Sequence, residues 1–327
     1  MLIDLSSNEN PYAPSCKVAE AAIQGLEGMN RYVEPEELHM LRKALGEYCG
    51  VGTERILPGP GTGYLLERVL CGLAVGRELV VLNPAFLSCL DLAARLCKRI
   101  VRLQLKPPSF EVDWTLPASG PALVILESPN NPTGQCLISR EALKSLLKNE
   151  DCLVLIDEAG YEYAGKTFMD LIPDHPNLAL CRTLDKAFGL AGLRVSWLVC
   201  GDAFMKALHM ENVCLCRPAL RAALAALEEQ RAVLEEVKGV IEERERLKAA
   251  LSQLGLEVFP SEANYLLVRS PRPDLGLLLR KRGILIADLS GQWFSGYFRI
   301  SIGRPEEHQA LATAVEDILR TEEGFMD

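Results

Sequence analysis

"CLVLIDEAG" (152–160) is an unbroken apolar run that ends in two carboxylates, Asp157 and Glu158. No polar residue alternates within it, so a strand here is covered on both faces, as in a parallel sheet flanked by helices. Runs of the same kind lie on either side: "ELVVL" (78–82), "ALVIL" (122–126), "LALCR" (178–182) and "VSWLV" (195–199). Turn signals and helix-length segments separate them. The pattern predicts an α/β fold with a covered, mainly parallel sheet.

The helices carry their own signals. Over 36–50, Leu38, Leu41, Leu45 and Tyr48 share one face, Pro35 suits the first turn and Gly50 suits the stop. "GPGTG" (59–63) is a glycine-rich turn leading into the helical "YLLERVLCGLA". From 219 to 254 the chain is helical and charged, with Gly239 a candidate break and Gly255 a candidate cap. After it, "NYLLV" (264–268), "GILIA" (283–287), "YFRISIG" (297–303) and a last helix predict a second, smaller α+β domain.

The chain has 327 residues, 49% hydrophobic and 24% charged, with a net charge of −9. That composition predicts a soluble globular protein and argues against nucleic acid or an anionic membrane as a partner. No apolar stretch is long enough to span a bilayer, and the start lacks a signal-peptide pattern. The eleven cysteines form no CxxC pair, and the four histidines have no ligand spacing. Reduced thiols, no metal site and a cytoplasmic location are expected. "GPGTG" approaches a dinucleotide fingerprint, but no acidic residue ends "ELVVL" and no GK[ST] follows.

In an open parallel sheet, ligands sit at the carboxyl ends of the strands. There the sequence places Phe86 after "LVVL", Asn130 and Asn131 after "LVIL", Asp157 after "LVLI", and Asp185 with Lys186 after "LALCRTL". A lysine amine can form a Schiff base with an aldehyde. A carboxylate can hold a proton on a pyridine nitrogen and keep the ring an electron sink. An amide can bond a ring oxygen, and a phenyl ring can stack on the cofactor face. A glycine-rich turn entering a helix offers N–H groups to a phosphate, and Arg194 adds a bidentate contact. The implied ligand is pyridoxal phosphate (PLP).

"SPNNPTG" (128–134), "DEA" (157–159) and "RTLDKAFGLAGLR" (182–194), in that order, resemble a fold-type I PLP-dependent aminotransferase. The nearest subfamily is histidinol-phosphate aminotransferase of histidine biosynthesis; threonine-phosphate decarboxylase is its relative. "SNENPYAPS", "NRYVEPEELHMLRKAL", "NPAF", "EERERLKAAL", "SEANYLLV" and "FRISIG" extend the likeness along nearly the whole chain. The resemblance implies a mixed seven-stranded sheet in a large domain (29–235), with a small domain (236–327) joined by the N-terminal segment (1–28).

It also implies roles. Lys186 would hold the cofactor and shuttle the proton, and Asp157 would face the pyridinium nitrogen. Asn131 would contact the ring hydroxyl and Phe86 would stack on the ring. Gly61, Thr62 and Arg194 would bind the phosphate. Tyr32 would reach the phosphate from the other subunit of a homodimer. Arg299 would bind the anionic end of a small-molecule substrate, with Asn8 and Asn264 lining its pocket.

Four departures accompany the likeness. Asp185 replaces a Ser or Thr whose hydroxyl bonds the phosphate; it either turns toward Arg182 or Arg194, or weakens cofactor binding. Gly160 replaces a tyrosine, and Tyr161 next to it should point elsewhere. Pro60 and Gly63 alter the phosphate turn. The chain begins almost at "NENP", where relatives carry an arm over the pocket. Besides amino transfer, the motifs leave open decarboxylation of a phosphorylated amino acid, and a catalytically weakened homologue acting as a binding protein.

Overall fold

The computed structural model describes residues 2–85, 89–114, 120–208, 215–290 and 294–323. In chain order the first elements are β1 (Ile3–Leu5), α1 (Cys16–Gln24), α2 (Pro35–Cys49), β2 (Ile56–Gly59), α3 (Thr62–Leu73) and β3 (Glu78–Asn83). Next come α4 (Leu90–Leu96), β4 (Arg99–Gln104), β5 (Ala122–Glu127), α5 (Arg140–Leu147), β6 (Cys152–Asp157) and α6 (Tyr161–Ala164). β7 (Leu178–Thr183), β8 (Ser196–Cys200), α7 (Asp202–Leu208), α8 (Arg217–Glu228) and α9 (Gln230–Gln253) follow. The chain closes with β9 (Glu257–Val258), β10 (Tyr265–Arg269), α10 (Leu275–Lys281), β11 (Ile284–Asp288), β12 (Tyr297–Ser301) and α11 (Pro305–Glu323).

One sheet has seven strands in the order β2-β8-β7-β6-β5-β3-β4. All neighbours are parallel except β8, which runs antiparallel to both β2 and β7. The apolar runs are buried on both faces for a visible reason. Val80, Leu82, Val124, Leu126, Val154, Ile156 and Leu180 pack on the side that holds Leu41, Leu45 and Trp197. Their sequence neighbours Leu79, Val81, Leu123, Leu155 and Ala179 pack on the other side, against Leu65, Val69 and Leu70 of α3. Each fully buried aliphatic side chain contributes about 1.5–3 kcal/mol, so the sheet is held from both faces.

The second sheet has the order β1-β11-β12-β10-β9. β1 pairs parallel to β11, which brings the N-terminal segment onto this sheet. The other pairings are antiparallel.

Local signals explain most boundaries. Pro35 sits in the first turn of α2, and Gly50 ends the helix at φ +69°, which costs glycine little. Gly239 does not break the long helical stretch; it lies inside α9, and the break falls at Glu229 between α8 and α9. Glycine lowers helix stability without ending a helix whose other face is packed, and Val237 and Val240 are buried on either side of it. Gly255 follows α9 at φ +84°. The ten described cysteines are free thiols. Among the described residues no cluster could hold a metal ion, and no helix is long and apolar enough to cross a membrane.

Candidate active site

Strand register assembles the site. Asp157 ends β6 between Glu127 of β5 and Cys181 of β7, so the carboxyl edge of the sheet carries two acids side by side. Beyond that edge lies a cavity of about 560 Å³. Asn8, Thr62, Asn131, Asp157, Lys186, Arg194, Asn264 and Arg299 all line it. Residues predicted separately, from Asn8 to Arg299, therefore surround one space. Phe86 lies outside the described residues. Tyr32 does not line the cavity; its side chain is on the surface, 93% exposed.

The two carboxylates of "DEA" diverge. Asp157 faces the cavity, and its Oδ1 accepts from the N–H of Ala159 at 3.0 Å. Burial pushes its carboxyl up from the ordinary 3.8 to about 6, with Lys186 opposing. Glu158 points the other way and holds the Arg182 guanidinium at 3.0 and 2.8 Å. Arg182 in turn stacks over the ring of Tyr161 at 3.5 Å, so Tyr161 does point away from the cavity.

Lys186 reaches toward the carbonyl of Ser7 at 3.4 Å. Burial lowers its pKa, and the neighbouring Asp185 partly restores it. The N-terminal segment is tied down beside it, since Asn10 donates to the carbonyl of Ala187 at 2.9 Å. Asn8 adopts φ +55°, a left-handed conformation that Asn tolerates. It is fixed by Ser301 at 2.8 Å and by Asn264, which donates to its carbonyl at 2.9 Å.

Arg299 projects from β12. It donates to Asn131 Oδ1 at 2.7 Å and to the carbonyl of Ser6, while its Nε is buried without a partner. Its guanidinium lies 5.6 Å from the Tyr265 ring centroid. Asn130 is a scaffold residue: its amide donates to Pro84 and Glu127, and its oxygen accepts from Thr133.

The corner expected to take a phosphate lies at the start of α3. No side chain caps its N-terminus, and Thr62 and Gly63 border the cavity there. The first N–H groups of a helix lack intrahelical partners and favour an anion. Gly61 is required: it sits at φ +92°, and a Cβ would lie 2.5 Å from Arg194 Nη2. Gly61→Ala should cost about 1–3 kcal/mol in backbone strain. It should also weaken PLP binding roughly tenfold or more, as 1.4 kcal/mol is tenfold in affinity. An absorbance titration with PLP checks this.

Residues 1–315 match the family Aminotransferase class I and II. The chain belongs to that family. This aminotransferase is 33% identical to histidinol-phosphate aminotransferase 2 of Archaeoglobus fulgidus, over 97% of this chain and 93% of that protein. Its fold matches histidinol-phosphate aminotransferase from Sinorhizobium meliloti, solved in complex with pyridoxal-5'-phosphate. The TM-score is 0.85 at 24% identity, covering 98% and 91% of the two chains. L-threonine-O-3-phosphate decarboxylase from Porphyromonas gingivalis matches with TM-score 0.83 at 22% identity, covering 98% and 100%. The fold is therefore that of the fold-type I PLP transferases, and the chain is a PLP-dependent aminotransferase.

Its residues fit that cofactor at three corners of one cavity: an uncapped helix start for phosphate, a buried carboxylate for a ring nitrogen, and a lysine of lowered pKa. Besides Pro60 and Gly63, the corner expected to hold the phosphate departs at Asp185. Asp185 turns to Arg194 and pairs with it; Arg182 is already held by Glu158. At position 160 a Cβ would stand 3.1 Å from Pro129 Cδ, so the glycine accompanies close packing of that proline.

Sequence reasoning missed Glu127, Thr183, Ser196 and Tyr265. Glu127 accepts from the main-chain N–H of Asn131 at 2.9 Å and anchors its backbone. Ser196 donates to Thr183 at 2.8 Å and lies 3.3 Å from Thr62, which makes a hydroxyl chain beneath the phosphate corner. Glu127 immediately precedes "SPNNPTG", where a lone acid at a strand end was a usable signal. Thr183 and Ser196 had none, being small hydroxyls in otherwise apolar strands.

Proposed function

We propose that this aminotransferase moves an amino group between glutamate/2-oxoglutarate and a phosphorylated or carboxylate-bearing amine, histidinol phosphate being the first choice. The observation that carries the reading is one cavity bordered by Lys186, Asp157 and Arg299, in a chain resembling histidinol-phosphate aminotransferases along 97% of its length. Bound PLP supplies an aldehyde for the amine and a ring that withdraws electrons from the substrate carbon. Lys186, with its pKa lowered by burial, takes the proton from that carbon and returns it. Asp157 keeps the ring nitrogen protonated. Asn131, whose backbone N–H is held by Glu127, would offer its side-chain amide to the ring oxygen. Arg299 binds the anionic end of each substrate and exchanges its contact with Asn131 Oδ1 for it.

The same reading includes a homodimer in the cytoplasm. Tyr32 and Met29, 93% and 74% exposed, stand on a surface where Ile23 and Leu26 are exposed as well, which supports burial against a second copy. Residues 29–235 are read as the large domain, and 236–327 with 1–28 as the small one.

The deciding assay incubates the purified enzyme with histidinol phosphate and 2-oxoglutarate and measures glutamate. Transfer is expected. No transfer, with carbon dioxide released from threonine phosphate instead, would replace this reading by decarboxylation. Arg299→Gln should lower kcat/KM for the phosphorylated substrate roughly 10²-fold, mainly through KM, since losing one partner of a buried charged contact costs about 2–5 kcal/mol. Steady-state kinetics with both substrates checks it.

A further inference from the structure

The phosphate corner contains an anion of its own. The Asp185 side chain is 5% exposed. Its Oδ2 pairs with Arg194 Nη1, and its Oδ1 is buried with no hydrogen-bond partner. The groups that face it are Arg194, Lys186, the Thr183 hydroxyl and the main chain of Val195. Cys181 lies behind it on β7, and Thr62 borders the same corner from α3.

A phosphate monoester at the start of α3 needs Arg194, which Asp185 holds. It also meets an ionised carboxylate in a poorly hydrated corner, where like charges do not both stay ionised. One proton removes both obstacles. A protonated carboxyl donates a hydrogen bond, and it no longer competes for the guanidinium. The unpartnered Oδ1 is the atom that could carry the hydrogen. Burial already pushes the Asp185 carboxyl above its ordinary range, with Arg194 opposing.

We propose that a phosphate monoester enters this corner together with one proton, so that Asp185 donates from Oδ1 to a phosphate oxygen while Arg194 passes from Asp185 to the phosphate. The inference rests on the reading above that this corner holds the cofactor's phosphate. The proton comes from solvent. One O–H bond forms, one ion pair is exchanged for another, and nothing is oxidised or reduced. In the free protein Asp185 is the anionic partner of the Arg194 ion pair, and in the complex it is protonated, so affinity falls as pH rises, by about tenfold per unit.

The probe is pyridoxine 5'-phosphate, which has the phosphate but no aldehyde, so Lys186 chemistry does not enter. Calorimetric titration at pH 8, where the phosphate is a dianion, in buffers of different ionisation heat counts the protons taken up. Wild type is expected to take up about one proton more than Asp185→Asn or Asp185→Ser, which keep a donor without the charge. Both variants should bind at least about tenfold tighter at pH 8, converging with wild type toward pH 6. If one variant fails to fold, the other supplies the comparison. Measurable binding with equal proton counts in wild type and variant would overturn the inference alone. No binding by wild type or by either variant would overturn the phosphate reading on which it rests.

Discussion

Lys186→Ala should abolish the visible absorption band of the PLP-loaded enzyme and lower kcat by roughly 10⁴-fold, since a positioned acid–base group alone is worth about 10²–10⁴. Lys186 lies between Asp185 and the carbonyl of Ser7, bordering the cavity that Asp157 and Arg299 also border. Burial lowers its pKa, so a neutral amine is available nearer physiological pH than on an exposed lysine. No other lysine borders that cavity among the described residues. The PLP spectrum of the variant, followed by single-turnover measurement of amino transfer, checks both halves. A variant that keeps the band would overturn the assignment.

Asp157→Asn should trade activity for stability. The carboxyl has a folded pKa of about 6 against an ordinary 3.8. An acid whose folded pKa is raised binds protons more tightly in the native state. Its penalty is absent below about pH 4 and grows as pH rises from 3.8 to 6. Above pH 6 the ionised carboxyl therefore destabilises the cofactor-free protein by up to about 3 kcal/mol. The amide removes the charge and keeps an oxygen for the Ala159 N–H. Cofactor-free Asp157→Asn should melt higher than wild type at pH 7.5 and equally at pH 4. Its kcat should fall by about 10³-fold, the scale for removing one preorganised electrostatic group. Thermal melts at the two pH values and steady-state rates measure the trade. Equal melts at pH 7.5 would mean that the carboxyl is hydrated rather than desolvated.

The strands that were legible in the sequence and those that were not differ in position. β3, β5, β6 and β7 occupy the interior of the sheet and are apolar on both faces, which marks them without any knowledge of partners. β2 and β4 are the two edges. β2 contains Pro58, which an edge strand tolerates because one side needs no ladder bond. β4 reads "RIVRLQ" with exposed positions, so it lacks the continuous apolar run. Neither stood out from loop sequence, and the direction of β8 had no local signal at all.

The sequence alone determined the α/β class, the covered sheet, and the polar residues that collect at its carboxyl edge. Those follow from side-chain hydrophobicity and from short-range backbone preferences, which each residue carries with it. Only the tertiary structure decided which partners those residues take. Asp157, the last residue of β6, faces the cavity, while Glu158 just beyond the strand end turns to the other side and binds Arg182. With Arg182 so occupied, Asp185 pairs with Arg194. Charge pairing depends on distances between segments far apart in the chain, and those distances exist only once the sheet has brought its strand ends together.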